Sequence, residues 1–121
     1  MSRPLLEESR LHPAIRDTVN HLYAEVVHNV QAASMSNAVL VVGMAGNPFC
    51  RRARKALDAA AVPHHYLGYC SYLSQWSERL ALKMWTGWPT FPMVFVKGVL
   101  VGGATDLAKL IANGELKRLL A

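Results

Sequence analysis

The chain has 121 residues, 52% hydrophobic and 17% charged, a length for one domain with a single core and a balance that excludes disorder. No apolar run reaches the ~20 residues of a membrane span, and "MSRPLLEESRLHPAIRD" lacks a long apolar h-region, so a cytoplasmic protein without a membrane partner is expected. The net charge of +5 admits an anionic small molecule or nucleic acid, but aromatics are not interleaved with Lys and Arg, which argues against nucleic acid. Two cysteines, Cys50 and Cys70, are too few for a secreted disulfide scaffold.

Residues 1–12 are polar. From Pro13, Ile15, Val19, Leu22, Val26 and Val30 recur at three- and four-residue steps, which predicts one amphipathic helix ending within 32–37. His21 and His28 share a face of it, but two histidines without a third ligand do not make a metal site, and none is expected. "AVLVV" (38–42) is a short apolar run bounded by glycine, the pattern of a buried strand. "NPFCRRARKALDAAAV" predicts a helix from about Pro48, with Phe49, Ala53, Ala56, Leu57 and Ala60 on the apolar face and the basic residues mostly opposite.

"HHYLGY" (64–69) reads as a second strand, and "LSQWSERLALKMW" (73–85) as a core helix with Trp76, Leu80 and Met84 on its inner side. "MVFV" and "VLV", separated by Lys97-Gly98, predict a hairpin. "ATDLAKLIANGELKRLLA" closes the chain as helix, with Thr105 or Asp106 near its start and a break at Asn113-Gly114. After the first helix the order is β-α-β-α-β-β-α. A strand-helix-strand crossover makes the first two strands parallel, and the hairpin adds an antiparallel pair. The expected fold is α/β: one mixed four-stranded sheet flanked by helices.

That order, with "WPTFPMVFVKGVLVGG" (88–103) and the continuation "ATDLAKLIANGELKRLL", resembles the glutaredoxins of the thioredoxin-like fold, in particular their monothiol branch. The resemblance spans residues 38–120. It implies a glutaredoxin-like domain over 38–121, preceded by an extension over 1–37 with an extra N-terminal helix. It also implies glutathione as ligand. Pro92 matches the family's cis proline, and the backbone before it, at Thr90 and Phe91, pairs with the cysteinyl part of glutathione. Gly103, Thr105 and Asp106 match residues that hold the γ-glutamyl end at a helix N-terminus, where N–H groups and the dipole favour a carboxylate. Arg79 falls where an arginine can meet the glycyl carboxylate. Read from local chemistry alone, Phe91-Pro92 is a strand-entry kink, Thr105 and Asp106 are helix caps, and Arg79 is surface.

"NPFC" resembles the family's Cys-Pro-Tyr-Cys, with Asn47 at the first cysteine and Cys50 at the second, and Met44 stands where a lysine is frequent. Asn47 therefore belongs to the implied glutathione site without a thiol. Thiol chemistry rests on Cys50, in the first turn of a helix beside Arg51, Arg52, Arg54 and Lys55, an environment that can lower a thiol pKa where those charges face the sulfur. Cys70 follows the second strand, on the same sheet edge as Cys50, so a Cys50–Cys70 pair is topologically open.

Three readings follow. One is a glutathione-binding thiol-disulfide oxidoreductase using Cys50, with Cys70 as resolving thiol and glutathione or a glutathionylated protein as partner. The second is a non-catalytic binding module, with the N-terminal helix covering the sheet or forming a homodimer. An iron–sulfur carrier is the weakest, because Asn47 is a poor substitute for a thiolate.

Overall fold

The computed structural model describes residues 3–21, 24–44, 46–69 and 76–121. Four strands form one mixed sheet in the order β2-β1-β3-β4. β1 (Val39–Gly43) runs through its middle, parallel to β2 (His65–Gly68) and antiparallel to β3 (Met93–Val96), which pairs antiparallel with β4 (Val99–Gly102). All five residues of β1 and all four of β3 are buried, because helices cover both faces of the sheet there. Alternation then sorts their side chains. Leu40, Val42, Met93 and Phe95 join one core layer, while Val39, Val41, Val94 and Val96 join the other.

α2 (Ala24–Ser36) and α4 (Trp76–Thr86) cover the first layer, with Val26, Val30 and Leu82 in its core. The second layer is closed by α3 (Pro48–Ala59), α5 (Ala104–Ala112) and α6 (Glu115–Leu120) through Ala53, Leu57, Leu107 and Leu116. The expected mixed sheet, the hairpin turning at Lys97-Gly98 and the break at Asn113-Gly114 are all present. Gly114 stands in the left-handed region at φ 77°.

Three helix faces differ from the sequence reading. Over the N-terminal pattern the structure describes helix as α1 (Pro13–His21) and α2, and residues 22–23, and so Leu22, lie outside the described residues. Val26 and Val30 are buried, but Ile15 and Val19 are about half exposed, so among the described residues the apolar stripe reaches the core through α2. In α4, Leu80 (38% exposed) and Met84 (57%) face outward, while Arg79, Ala81 and Leu82 are buried. Apolar residues lie all round this helix, so periodicity permits several phases, and contacts on the sheet decide among them. Trp85 stacks on Phe95 with ring centroids 6.2 Å apart, and the Thr86 hydroxyl donates to the Leu82 carbonyl. The buried face of α3 is Cys50, Ala53 and Leu57; Phe49 is half exposed and Ala60 exposed.

No helix among the described residues is long and apolar enough to cross a membrane.

Candidate functional site

The sheet positions two recesses on either side of the α3 N-terminus. One is a groove of about 270 Å³ between the Thr90–Pro92 turn, the start of α5 and the Phe49 ring. Phe91–Pro92 is a cis peptide bond. Among the described residues, the backbones of Thr90 and Phe91 make no hydrogen bond to another backbone, so the turn keeps its donors and acceptors for a ligand.

On the opposite wall, Gly103 is the N-cap of α5, and its N–H donates to Asp106 Oδ2 at 3.0 Å. Glycine has no side chain to return the bond, so the first-turn N–H groups of Ala104 and Thr105 lack a side-chain cap. The preceding Gly102 has φ 120°, and a Cβ there would lie 2.5 Å from Asp106 Oδ2, so only glycine lets the carboxylate fold back onto this turn. The groove therefore offers uncapped N–H groups beside one carboxylate and a stretch of unpaired backbone. That combination suits a small peptide bearing both an amine and a carboxylate.

On the other side, Asn47 is the N-cap of α3. Its Oδ1 accepts from Phe49 N at 2.8 Å and Cys50 N at 3.2 Å, and Pro48 at N1 has no N–H to satisfy. Those two N–H groups are the donors that would stabilise a thiolate at this position, and an amide oxygen occupies them. Cys50 is 2% exposed. Burial pushes its thiol pKa up, opposed by a backbone hydrogen bond with Met44. Cys50 and Tyr66 meet over Gly43: a Cβ at Gly43 would lie 2.8 Å from Cys50 Sγ and 2.9 Å from the Tyr66 ring. Burial, and then Cys50, push the Tyr66 phenol up, while Arg54 opposes them with its guanidinium carbon 4.3 Å from the ring centroid. Arg51, Arg52, Arg54 and Lys55 are all exposed.

The glutaredoxin family model matches residues 39–101, just over half of the chain. The chain belongs to the glutaredoxin family. It is 43% identical over 102 residues to a glutaredoxin-like protein of Dictyostelium discoideum, a match covering 84% of this chain and 83% of that one. Among solved structures, oxidized glutaredoxin 2 from Chlamydomonas reinhardtii superposes with a TM-score of 0.71 at 31% identity, covering 81% of this chain and 92% of that one. A buckwheat glutaredoxin-glutathione complex superposes equally well at 22% identity over 83% and 91% of the two chains, a likeness of fold alone.

Within this glutaredoxin fold, Thr90, Phe91, Pro92, Gly103, Thr105 and Asp106 gather around one groove. Asn47 and Cys50 line the second recess instead. Arg79 lines neither. It is 4% exposed and donates from Nη1 to the Tyr69 carbonyl at 3.3 Å, so it is a core residue holding the end of β2. Cys70, and with it the Cys50–Cys70 pairing, lies outside the described residues.

Sequence reasoning missed Phe49 and Trp88 as groove walls. The indole stands behind Gly103, where a Cβ would lie 3.6 Å from Trp88 Nε1. Tyr66 was missed as a neighbour of Cys50; its alternation along β2, out of phase with Leu67, was the available signal.

Proposed function

We propose that this chain binds glutathione in the groove between Thr90–Pro92 and the α5 N-terminus, and that it carries out no thiol exchange at position 47. The observation that carries the reading is the groove itself: open, and lined by complementary groups. The γ-glutamyl end of glutathione has an α-carboxylate and an α-ammonium. The carboxylate suits the uncapped N–H groups of Ala104 and Thr105 at the positive end of the α5 dipole, and the ammonium suits Asp106. The cysteinyl amide suits the unpaired backbone of Thr90 and Phe91. A related fold described as a glutaredoxin-glutathione complex supports this ligand. The partner class is then glutathione, or a protein carrying it as a mixed disulfide.

Asn47 supports the second half of the reading. An amide cannot attack a disulfide, and it occupies the donors a thiolate would use. The same residues do not fit an iron–sulfur cluster, since position 47 supplies no thiolate and Cys50 is buried. Calorimetric titration with reduced glutathione tests binding: saturable heat is expected, weakened in Asp106→Ala. A flat titration of the folded native chain overturns the assignment.

One observation favours the competing reading of exchange through Cys50. The residue borders the recess that Arg51 and Arg54 also line, so two cations share that recess with the thiol. Under that reading the native chain reduces glutathione mixed disulfides and Cys50→Ser does not. Burial of Cys50, which disfavours its thiolate, weighs against it.

Self-association through the N-terminal segment is assigned to α1, since Val26 and Val30 of α2 are already spent on the chain's own core. Sedimentation of Ile15→Ser/Val19→Ser against the native chain tests this. A native dimer that persists in the variant removes α1 from the interface.

A further inference from the structure

The recess between α3 and the end of β2 has about 330 Å³ of space and shares no lining residue with the glutathione groove. Its polar chemistry is one-sided. Arg51 and Arg54 contribute guanidinium groups one turn apart on α3, and Tyr66 and Cys50 contribute O–H and S–H groups. No carboxylate of a described residue lies within ion-pair distance of either arginine. Arg54 is held by stacking on the Tyr66 ring rather than by a charge partner.

Asn47 completes the pattern. It is only 8% exposed, and its Oδ1 is fixed by two backbone N–H groups, which leaves Nδ2 with no acceptor among the described residues. That amino group reaches solvent on the wall of a recess edged by two unneutralised guanidinium groups, and so adds a donor suited to an acceptor from outside the chain.

We propose that this recess is a second ligand site, taking the carboxylate or phosphate group of a small molecule. Arg51 and Arg54 clamp the anion at the mouth, and the Asn47 amino group and Tyr66 hydroxyl donate to it from within. The basic balance of the chain, +5 overall, favours the approach of such a ligand. Occupation is independent of glutathione, because the two recesses lie on opposite sides of the first turn of α3.

Isotope-labelled full-length protein is titrated with inorganic phosphate, and separately with acetate, while the amide resonances of Gly46, Tyr66 and Gly68 are followed. Saturable shifts at these amides are expected with at least one anion, and the anion that saturates distinguishes phosphate from carboxylate ligands. Arg51→Gln and Arg54→Gln each weaken binding by roughly tenfold, the loss of one charge-assisted hydrogen bond. Both side chains are exposed, so the fold tolerates the change. Asn47→Asp keeps the helix cap but replaces the amino donor by a negative charge, and it abolishes binding in a protein of unchanged circular dichroism. Saturating glutathione leaves the anion's dissociation constant unchanged. Linear, unsaturated shifts with both anions, full affinity in the arginine variants, or displacement by glutathione overturns the proposal.

Discussion

The N-termini of α5 and α3 use the same physical resource differently. At the start of α5, the N-cap is a glycine, and the first-turn N–H groups of Ala104 and Thr105 stay available beside the groove. At the start of α3, the N-cap is Asn47, whose carbonyl oxygen takes the N–H groups of Phe49 and Cys50. A helix N-terminus is a latent anion site, and whether it serves a ligand or the fold depends on the cap residue. Here the α5 terminus has no side-chain cap beside a groove, and the α3 terminus is capped by an amide oxygen. On the proposed function, ligand binding and thiol chemistry come apart at this single position.

The largest expected effect removes that amide cap. Asn47→Cys places a thiol where the Phe49 and Cys50 N–H groups and the α3 dipole stabilise a thiolate, so its pKa falls below the ordinary ~8.5. Alkylation at neutral pH should then be faster than at Cys50 of the native chain by on the order of a hundredfold. Equal rates at the two positions would mean that the α3 N-terminus supplies no such stabilisation. At the α5 terminus, Asp106→Ala removes both the partner of the Gly103 N–H and the carboxylate offered to an ammonium. Glutathione affinity should drop roughly tenfold by calorimetry, with Cys50 alkylation unchanged.

A smaller effect separates cap from chemistry. Asn47→Ala should cost about 1 kcal/mol in urea unfolding, and Asn47→Asp close to nothing, since aspartate caps as well as asparagine. Glutathione affinity stays put in both if the two termini are independent. The smallest effect concerns pH. The Cys50 pKa is raised by burial, so above the unfolded-state value of ~8.5 the unfolded chain releases a proton that the folded chain retains. Stability should decline from there as pH rises toward the folded-state pKa, and Cys50→Ser should remove that part of the slope. Tyr66 and Tyr69, also raised by burial, add the same sign at higher pH.

Much of the architecture was legible because it depends on local pattern. The β1 run, the Lys97-Gly98 turn and the Asn113-Gly114 break each announce themselves in a few residues. The groove was legible for the same reason: Thr90–Pro92 and Gly103–Asp106 are two contiguous stretches. The α4 phase was not, because apolar side chains surround that helix and only the Trp85–Phe95 stacking and the Leu82 contacts select its seat. Nor were the burial of Cys50 and the inward course of Arg79. Both are set by long-range partners: Gly43 and Tyr66 closing over the sulfur, and the Tyr69 carbonyl receiving the guanidinium. Charges close in sequence to Cys50 suggested activation, whereas burial of the sulfur, a three-dimensional property, raises its pKa.

The central claim is that glutathione binding persists while thiol exchange does not. The most direct test is the initial rate at which the native chain reduces a glutathionylated peptide with excess glutathione, alongside Cys50→Ser. Both rates are expected to equal the uncatalysed background. A native rate well above background that disappears in Cys50→Ser would contradict the account and make Cys50 a working thiol.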